Sequence, residues 1–144
     1  MKIRKVSKKD FKKIAELMLR EFGKPPWKEK ASLKKVLKTL SFYNKIGKIF
    51  VLICEGEIIG ATIFKIEQYW EGPVIIIEDL VIDTKYQSKN YTLKLIKWIE
   101  EYAKKKNLKA IYFATHKKSP SLNKYIKKGY KGDNNTIFMF KKLK

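Results

Sequence analysis

Cysteine and histidine are nearly missing from this chain. Its 144 residues contain one of each, Cys54 and His116. A lone cysteine cannot close an internal disulfide, and with a lone histidine it makes no zinc-type ligand set, so no metal site is expected. Arginine is almost as scarce, with Arg4 and Arg20 the only two among 34 basic residues. Readout of DNA bases usually relies on arginine forks carried by a recognisable reading helix, and neither is evident. Acids number only 14, which leaves a formal net charge of +20. No apolar run approaches the roughly 18 residues of a membrane span, and no apolar segment follows an N-terminal basic cluster. The expectation is a cytoplasmic protein with no membrane partner.

What is present is the material of a packed core. A hydrophobic fraction of 44% and an aromatic fraction of 13% exclude a disordered chain. The length suits one domain, residues 1–144, with room for its own interior. Lysine carries almost all of the positive charge and has two readings. It is a solvated face of the kind common in thermophile proteins, or it attracts something acidic: coenzyme phosphates, an acidic protein surface or nucleic acid.

The organising stretch runs from Gly72 to Tyr102. Val74 to Ile82 is a β-branched apolar run of strand length, interrupted by Glu78 and Asp79. On a regular strand these neighbours point to opposite faces, so at least one must find water or a polar partner. A polar, turn-forming segment, Asp83 to Asn90, follows. Beyond it Leu93, Leu95, Ile96, Ile99, Tyr102 and Ala103 recur at helical spacing. A strand that passes through a short loop into a helix gathers unpaired backbone N–H groups at the positive end of the helix dipole, a setting for an anion. Here the N–H groups of Gln87 to Leu93 are available, with Lys85, Lys89 and Lys94 nearby in sequence.

Around this centre the order of elements is readable. Met1 to Val6 is a short strand, and Ser7 to Asp10 a cap for a helix carrying Phe11, Ile14, Ala15, Met18 and Phe22 on one face. Gly23 with Pro25 and Pro26 ends it. A second helix is expected from about Glu29 to Phe42, its face of Leu33, Val36, Leu37 and Leu40 facing the core or walling a cleft. Ile49 to Cys54 and Ile58 to Trp70 form a hairpin around Glu55-Gly56-Glu57. Ala110 to Ala114 is a buried strand, reached from the central one by a right-handed crossover. Leu122 to Lys128 is a short helix stopped by Gly129, and Thr136 to Phe140 a last strand. Tyr69 and Trp70 border a substrate site or fill a hairpin edge, and His116, at a strand end facing the expected cleft, is a plain loop histidine or else binds substrate or acts as a base.

Three local patterns, in order along nearly the whole chain, resemble the Gcn5-related N-acetyltransferase (GNAT) family. Gln87-Ser88-Lys89-Asn90-Tyr91-Thr92 is similar to the family's Gln/Arg-x-x-Gly-x-Gly/Ala loop, preceded by the apolar strand end Leu80-Val81-Ile82-Asp83. Glu55-Gly56-Glu57-Ile58-Ile59-Gly60 resembles the family's hairpin turn, and Tyr125-Ile126-Lys127-Lys128-Gly129-Tyr130 its Tyr-x-x-x-Gly-Phe ending. Asn90 and Thr92 depart from the glycines of the loop. Asparagine tolerates a left-handed backbone, so Asn90 is expected to keep the turn. Thr92 either crowds a phosphate with its branched Cβ or caps the helix with its hydroxyl.

The resemblance implies an α/β (α+β) fold: a mostly antiparallel, mixed twisted sheet of six to seven strands, flanked by about four helices and splayed between the fourth and fifth strands. It implies acetyl transfer from acetyl-coenzyme A to an amine in a ternary complex. Leu80, Val81 and Ile82 would border the pantetheine arm, and Gln87, Ser88, Lys89, Asn90, Tyr91, Thr92 and Leu93 would hold the diphosphate. Glu78 is the first choice for proton acceptor, with Asp79 second, and Tyr125 matches the tyrosine near the thiol. Each has a structural alternative: a strand acid paired with lysine for Glu78, core packing for Tyr125. The expected partners are acetyl-coenzyme A and an amine acceptor, with an acidic macromolecule and a second copy of the chain as further possibilities. The alternative function is an inactive module of the same fold that binds an acidic protein or nucleic acid.

Overall fold

The computed structural model describes residues 1–144. Five strands form one sheet in the order β1-β2-β3-β4-β5. They are β1 (Lys2–Lys5), β2 (Lys48–Cys54), β3 (Glu57–Tyr69), β4 (Gly72–Ile82) and β5 (Ile111–Phe113). The first four are antiparallel neighbours, and β5 runs parallel to β4. The helices are α1 (Phe11–Phe22), α2 (Leu33–Ile46), a single turn α3 (Thr84–Gln87), α4 (Tyr91–Lys105) and α5 (Leu122–Lys127). A 3₁₀ turn at Lys8–Asp10 precedes α1. None is long and apolar enough to cross a membrane.

Helices cover both faces of the sheet, which is why its strands read as near-continuous apolar runs. On one face Leu52, Phe64, Ile75, Ile77 and Ile82 pack with Leu95, Ile96 and Ile99 of α4. On the other, Ile49, Val51, Ile63 and Val81 pack with Ile14, Met18 and Leu40 of α1 and α2. The apolar stripe of α2 thus enters the core, while Val36 also borders a small cleft.

Several boundaries differ from the sequence expectations for local reasons. The helix expected from Glu29 begins at Leu33, because Ser32 caps it by accepting from the Lys35 N–H at 3.3 Å. The helix expected from Leu93 begins at Tyr91, and the loop before it contains the extra turn α3, capped by Asp83. The sheet has five strands rather than six to seven, and five α-helices flank it. The strand expected at Thr136–Phe140 does not form: Ile137, Phe138, Met139 and Phe140 are exposed and pair with nothing. A β-branched and aromatic run is a strand only where an edge accepts it.

Candidate active site

The site begins with an irregularity in β4. Ile63 stands opposite Asp79, but the next residue of β3, Phe64, stands opposite Ile77, so Glu78 is an extra residue with no partner. Such a bulge advances the side-chain phase by one. Ile75 and Ile77 before it and Leu80 and Ile82 after it all meet the α4 side. Glu78 and Asp79 consequently do not point to opposite faces as a regular strand requires. Glu78 meets Lys65, a neighbour on β3, at 3.2 Å, and its charge raises the pKa of the Tyr43 hydroxyl of α2, after burial. Asp79 lies among residues of the α1–α2 side, lining a cleft with Phe22, Glu29 and Val36.

Beyond the bulge the sheet opens. β4 and β5 pair only through Ile75–Ile77 and Ile111–Phe113, while β4 continues to Ile82. The chain after Phe113 diverges instead of following it, which leaves the edge from Glu78 to Ile82 without a strand partner. A cleft of about 370 Å³ occupies the splay. Its wall includes Glu78, Asp79, Leu80, Val81, Ile82, Gln87, Thr92, His116 and Tyr125. The expected splay between the fourth and fifth strands is therefore in place.

The two acids of the bulge differ in electrostatics. Asp79 has no ion-pair or side-chain hydrogen-bond partner; burial, followed by the nearby charges of Glu29 and Glu78, pushes its carboxyl up to about 7. Glu78 has Lys65 as a counter-ion. Glu21 also faces the cleft but is already engaged. The Thr84 hydroxyl donates to its carboxylate and Lys24 Nζ lies 3.1 Å away; these bonds outweigh the effect of burial and hold Glu21 below its usual value. Arg20 reaches Asp83 at 2.8 Å, so α1 is tied to both residues that start the loop.

At the loop, Asn90 adopts φ +58° and ψ +25°, the left-handed conformation expected of it. This residue turns the chain sharply into α4. The Lys89 and Asn90 amides are bonded back to the Tyr86 and Gln87 carbonyls, at 3.1 and 3.3 Å. The first helical bond of α4 runs from the Lys94 N–H to the Asn90 carbonyl at 3.1 Å, which leaves the amides of Tyr91, Thr92 and Leu93 without partners. Of the seven amides from Gln87 to Leu93, those of Lys89 and Asn90 are thus turned back into the loop, and those of Tyr91, Thr92 and Leu93 are free at the start of α4. Lys89 and Lys94 lie over the rings of Tyr86 and Tyr91, at 5.8 and 4.6 Å from the centroids, so cationic groups border the same turn. Thr92 is 2% exposed and therefore does not project above the amides. Gln87 Nε2 donates to the Ile82 carbonyl at 3.2 Å and so joins the loop to the strand end.

Tyr125 of α5 closes the far side of the cleft. Its ring packs on Phe113 at 4.9 Å, and burial raises its hydroxyl pKa against the opposing bond with Ser121, so it is protonated at neutral pH. His116, in the cleft wall, accepts the Lys118 N–H at Nδ1, 3.0 Å away. Tyr69 and Trp70 are not part of the cleft; Tyr69 lies against Tyr112 at 5.5 Å, at the sheet edge. Sequence reasoning missed Glu29. No local signal marks that acid, because it comes from the irregular segment between α1 and α2.

The arrangement brings together free amides at a helix start, an open strand edge, an acid titrating near neutrality and a phenol that retains its proton. Residues 11–130 match the model of the acetyltransferase (GNAT) family. Among solved structures, the chain is similar to a possible acetyltransferase from Clostridium difficile 630, with a TM-score of 0.85 and 15% identity over 99% of this chain and 98% of the other. It is similar to a GNAT family acetyltransferase of Staphylococcus aureus, with a TM-score of 0.74 and 23% identity over 99% and 98%. A third is an aminoglycoside acetyltransferase from an uncultured soil metagenomic sample, solved in complex with trehalose, with a TM-score of 0.75 and 19% identity over 99% and 96%. No curated protein matches.

Proposed function

Because the chain belongs to the acetyltransferase (GNAT) family, we propose that it transfers an acetyl group from acetyl-coenzyme A to a primary amine that arrives as a cation. The observation that carries this reading is the position of Asp79, an acid held near neutrality in a cleft bounded by the free edge of β4 and the start of α4.

The residues present fit the donor. The free amides of Tyr91, Thr92 and Leu93, with Lys89 and Lys94 beside them, suit a diphosphate. Gln87, Ser88 and Asn90 shape that turn. The unpaired edge at Leu80, Val81 and Ile82 suits the amide groups of a pantetheine arm, which would add there in the manner of a strand. When bound, the coenzyme supplies an acetyl thioester.

The acids define the acceptor. Glu21, Glu29, Glu78 and Asp79 all line the one cleft, although acids number only 14 in a chain of charge +20. The local field therefore favours a cation in a protein whose overall charge would repel it. An ammonium has no lone pair, so its nitrogen must lose a proton before it can attack. We assign that proton to Asp79, in preference to Glu78, which is already engaged by Lys65 and helps to draw the cation into the cleft. As the nitrogen–carbon bond forms and the carbon–sulfur bond breaks, Tyr125 donates its proton to the departing thiolate.

The test is release of free thiol from acetyl-coenzyme A across a panel of amines. Polyamines and lysine-containing peptides should outpace neutral and acidic acceptors. Absence of thiol release with every amine, together with no thermal stabilisation by acetyl-coenzyme A, would overturn the reading and leave a binding module of the same fold.

A further inference from the structure

The acids of the cleft are set in a surface of the opposite sign. Glu21, Glu29, Glu78 and Asp79 line its wall. By contrast, residues 30–54 hold six lysines and no acid, and residues 102–132 hold ten lysines and no acid. Both stretches reach this cleft or the smaller one that shares Asp79 with it.

On one side of the mouth, the segment between α1 and α2 is fastened to the end of α1. The Lys28 amide donates to the Lys24 carbonyl at 3.0 Å and the Glu29 amide to the Phe22 carbonyl at 2.9 Å. Trp27 and Glu29 line the cleft, while Lys28 between them and Lys30 beyond are exposed. Lys35, in the first turn of α2, lines the smaller cleft together with Glu29 and Asp79. On the other side, a turn follows β5. The Ser119 amide donates to the His116 carbonyl at 2.9 Å and both residues line the cleft, which leaves Lys117 and Lys118 exposed at the tip of the turn. None of these five lysines has an ion-pair partner. The result is a negative centre with a positive rim.

We propose that the acceptor is a lysine side chain presented by an acidic polypeptide segment, a reading that rests on the acetyl transfer proposed for this cleft and specifies its substrate. The cleft selects the ammonium, and the rim selects what surrounds it. A lysine reaches inward on its flexible four-carbon stem, so its backbone and flanking residues stay at the mouth, where Lys28, Lys30, Lys117 and Lys118 meet them. The bonds exchanged are those already given: nitrogen–carbon forms, carbon–sulfur breaks, Asp79 takes the ammonium proton and Tyr125 supplies one to the thiolate. An acidic carrier also explains how a chain of charge +20 draws a cationic group to itself. A nucleic acid fits less well. It offers the four acids no aliphatic ammonium, and the exposed rings of Trp70 and Tyr112, on which bases would stack, lie outside the cleft.

The test compares two N-terminally blocked peptides with acetyl-coenzyme A as donor, each with a single lysine, flanked by glutamates in one and by arginines in the other. The glutamate-flanked peptide should have a kcat/KM about tenfold or more above its counterpart, and the advantage should shrink as salt is added. Lys117→Glu with Lys118→Glu should bring the two peptides to parity or reverse their order. A change in packing alone would slow both alike. These side chains are exposed, so the double variant retains its fold, and a far-ultraviolet spectrum checks this. Butylamine, too short to reach the rim, reads the chemistry by itself. Thiol release with butylamine but equal rates for the two peptides, a faster arginine-flanked peptide, or a preference indifferent to the double variant would each overturn the proposal and leave acetyl transfer standing. No release with butylamine or either peptide would sink both. Inhibition by a short RNA at lower concentration than by a glutamate peptide without lysine would give the rim to nucleic acid and overturn the proposal as well.

Discussion

Lys65 Nζ lies 3.2 Å from a carboxylate oxygen of Glu78, whereas the adjacent Asp79 has no cation within ion-pair reach. Two neighbouring acids of the same bulge therefore have different surroundings, one paired with a lysine and the other buried without a counter-ion. If Asp79 is the proton acceptor, kcat/KM for a good amine rises with pH through an apparent pKa of about 7. Asp79→Asn should abolish that limb and lower kcat by about 100-fold or more, while Glu78→Gln should mainly raise KM for cationic amines. Steady-state rates from pH 5.5 to about 9, at saturating donor, give the answer. A wild-type limb retained in Asp79→Asn would transfer the role elsewhere.

The same carboxyl has a sign in stability. Its folded pKa, about 7, exceeds the ordinary 3.8, so the fold favours its protonated form. That contribution is complete below about pH 4 and is lost as the pH rises through about 7. Asp79→Asn removes a buried charge that has no partner. The variant should match the parent near pH 4 and exceed it at pH 8 by about 1–3 kcal/mol, measured by urea denaturation at both pH values.

For the loop, the prediction concerns donor binding. Acetyl-coenzyme A at about 100 times its dissociation constant should stabilise the chain by about 2.7 kcal/mol in a thermal melt. Charge reversal at Lys89 and Lys94 together should shrink that shift at equal ligand concentration, with little effect in its absence. Asn90→Gly should leave both stability and binding near the parent, since Asn90 is in the left-handed region. Asn90→Val should cost about 1–2 kcal/mol, because a branched Cβ clashes there.

Tyr125→Phe keeps the ring against Phe113 and removes only the hydroxyl. A drop in kcat of about 10- to 100-fold, with KM for the amine nearly unchanged, is expected of a proton donor to the thiolate. The loss should be smaller with an acyl donor whose leaving thiol has a lower pKa. An equal loss with every donor would point to packing alone.

Anchoring of the loop is testable at Thr84. Its hydroxyl serves the Glu21 carboxylate, which is 5% exposed and also held by Lys24. Thr84→Val retains the shape and leaves one carboxylate oxygen short of a donor, for a loss of about 1–3 kcal/mol in chemical denaturation. Because α1 is tied to the loop at this point, donor affinity should fall with it.

The legible parts of this chain are those where local chemistry and tertiary context agree. The β2-β3-β4 meander follows from apolar runs separated by Gly56 and Gly72, and the left-handed turn at Asn90 follows from the side chain itself. The splay was accessible only through the family resemblance, because no periodicity in β4 or β5 encodes where their pairing stops. The bulge at Glu78 was hidden for a different reason. It is a property of the ladder with β3, and nothing in a single strand marks which residue will lack a partner. Asp79 accordingly owes its elevated pKa to burial and to a long-range neighbour, Glu29, which lies fifty residues earlier. Thr136–Phe140 carries the composition of a strand but not the location of its edge.

The extra residue in β4 also governs which changes this gene region can tolerate. Exchanging one side chain for another between Ile77 and Leu80 alters a single contact. Losing the Glu78 codon would leave Ile77 opposite Phe64 and Asp79 opposite Ile63 in regular alternation, with Leu80 and Ile82 still toward α4 and Val81 toward α1. The core therefore does not need the extra residue, and an in-frame deletion of Glu78 should survive genetic selection for folding while it removes the carboxylate that Lys65 meets across the sheet.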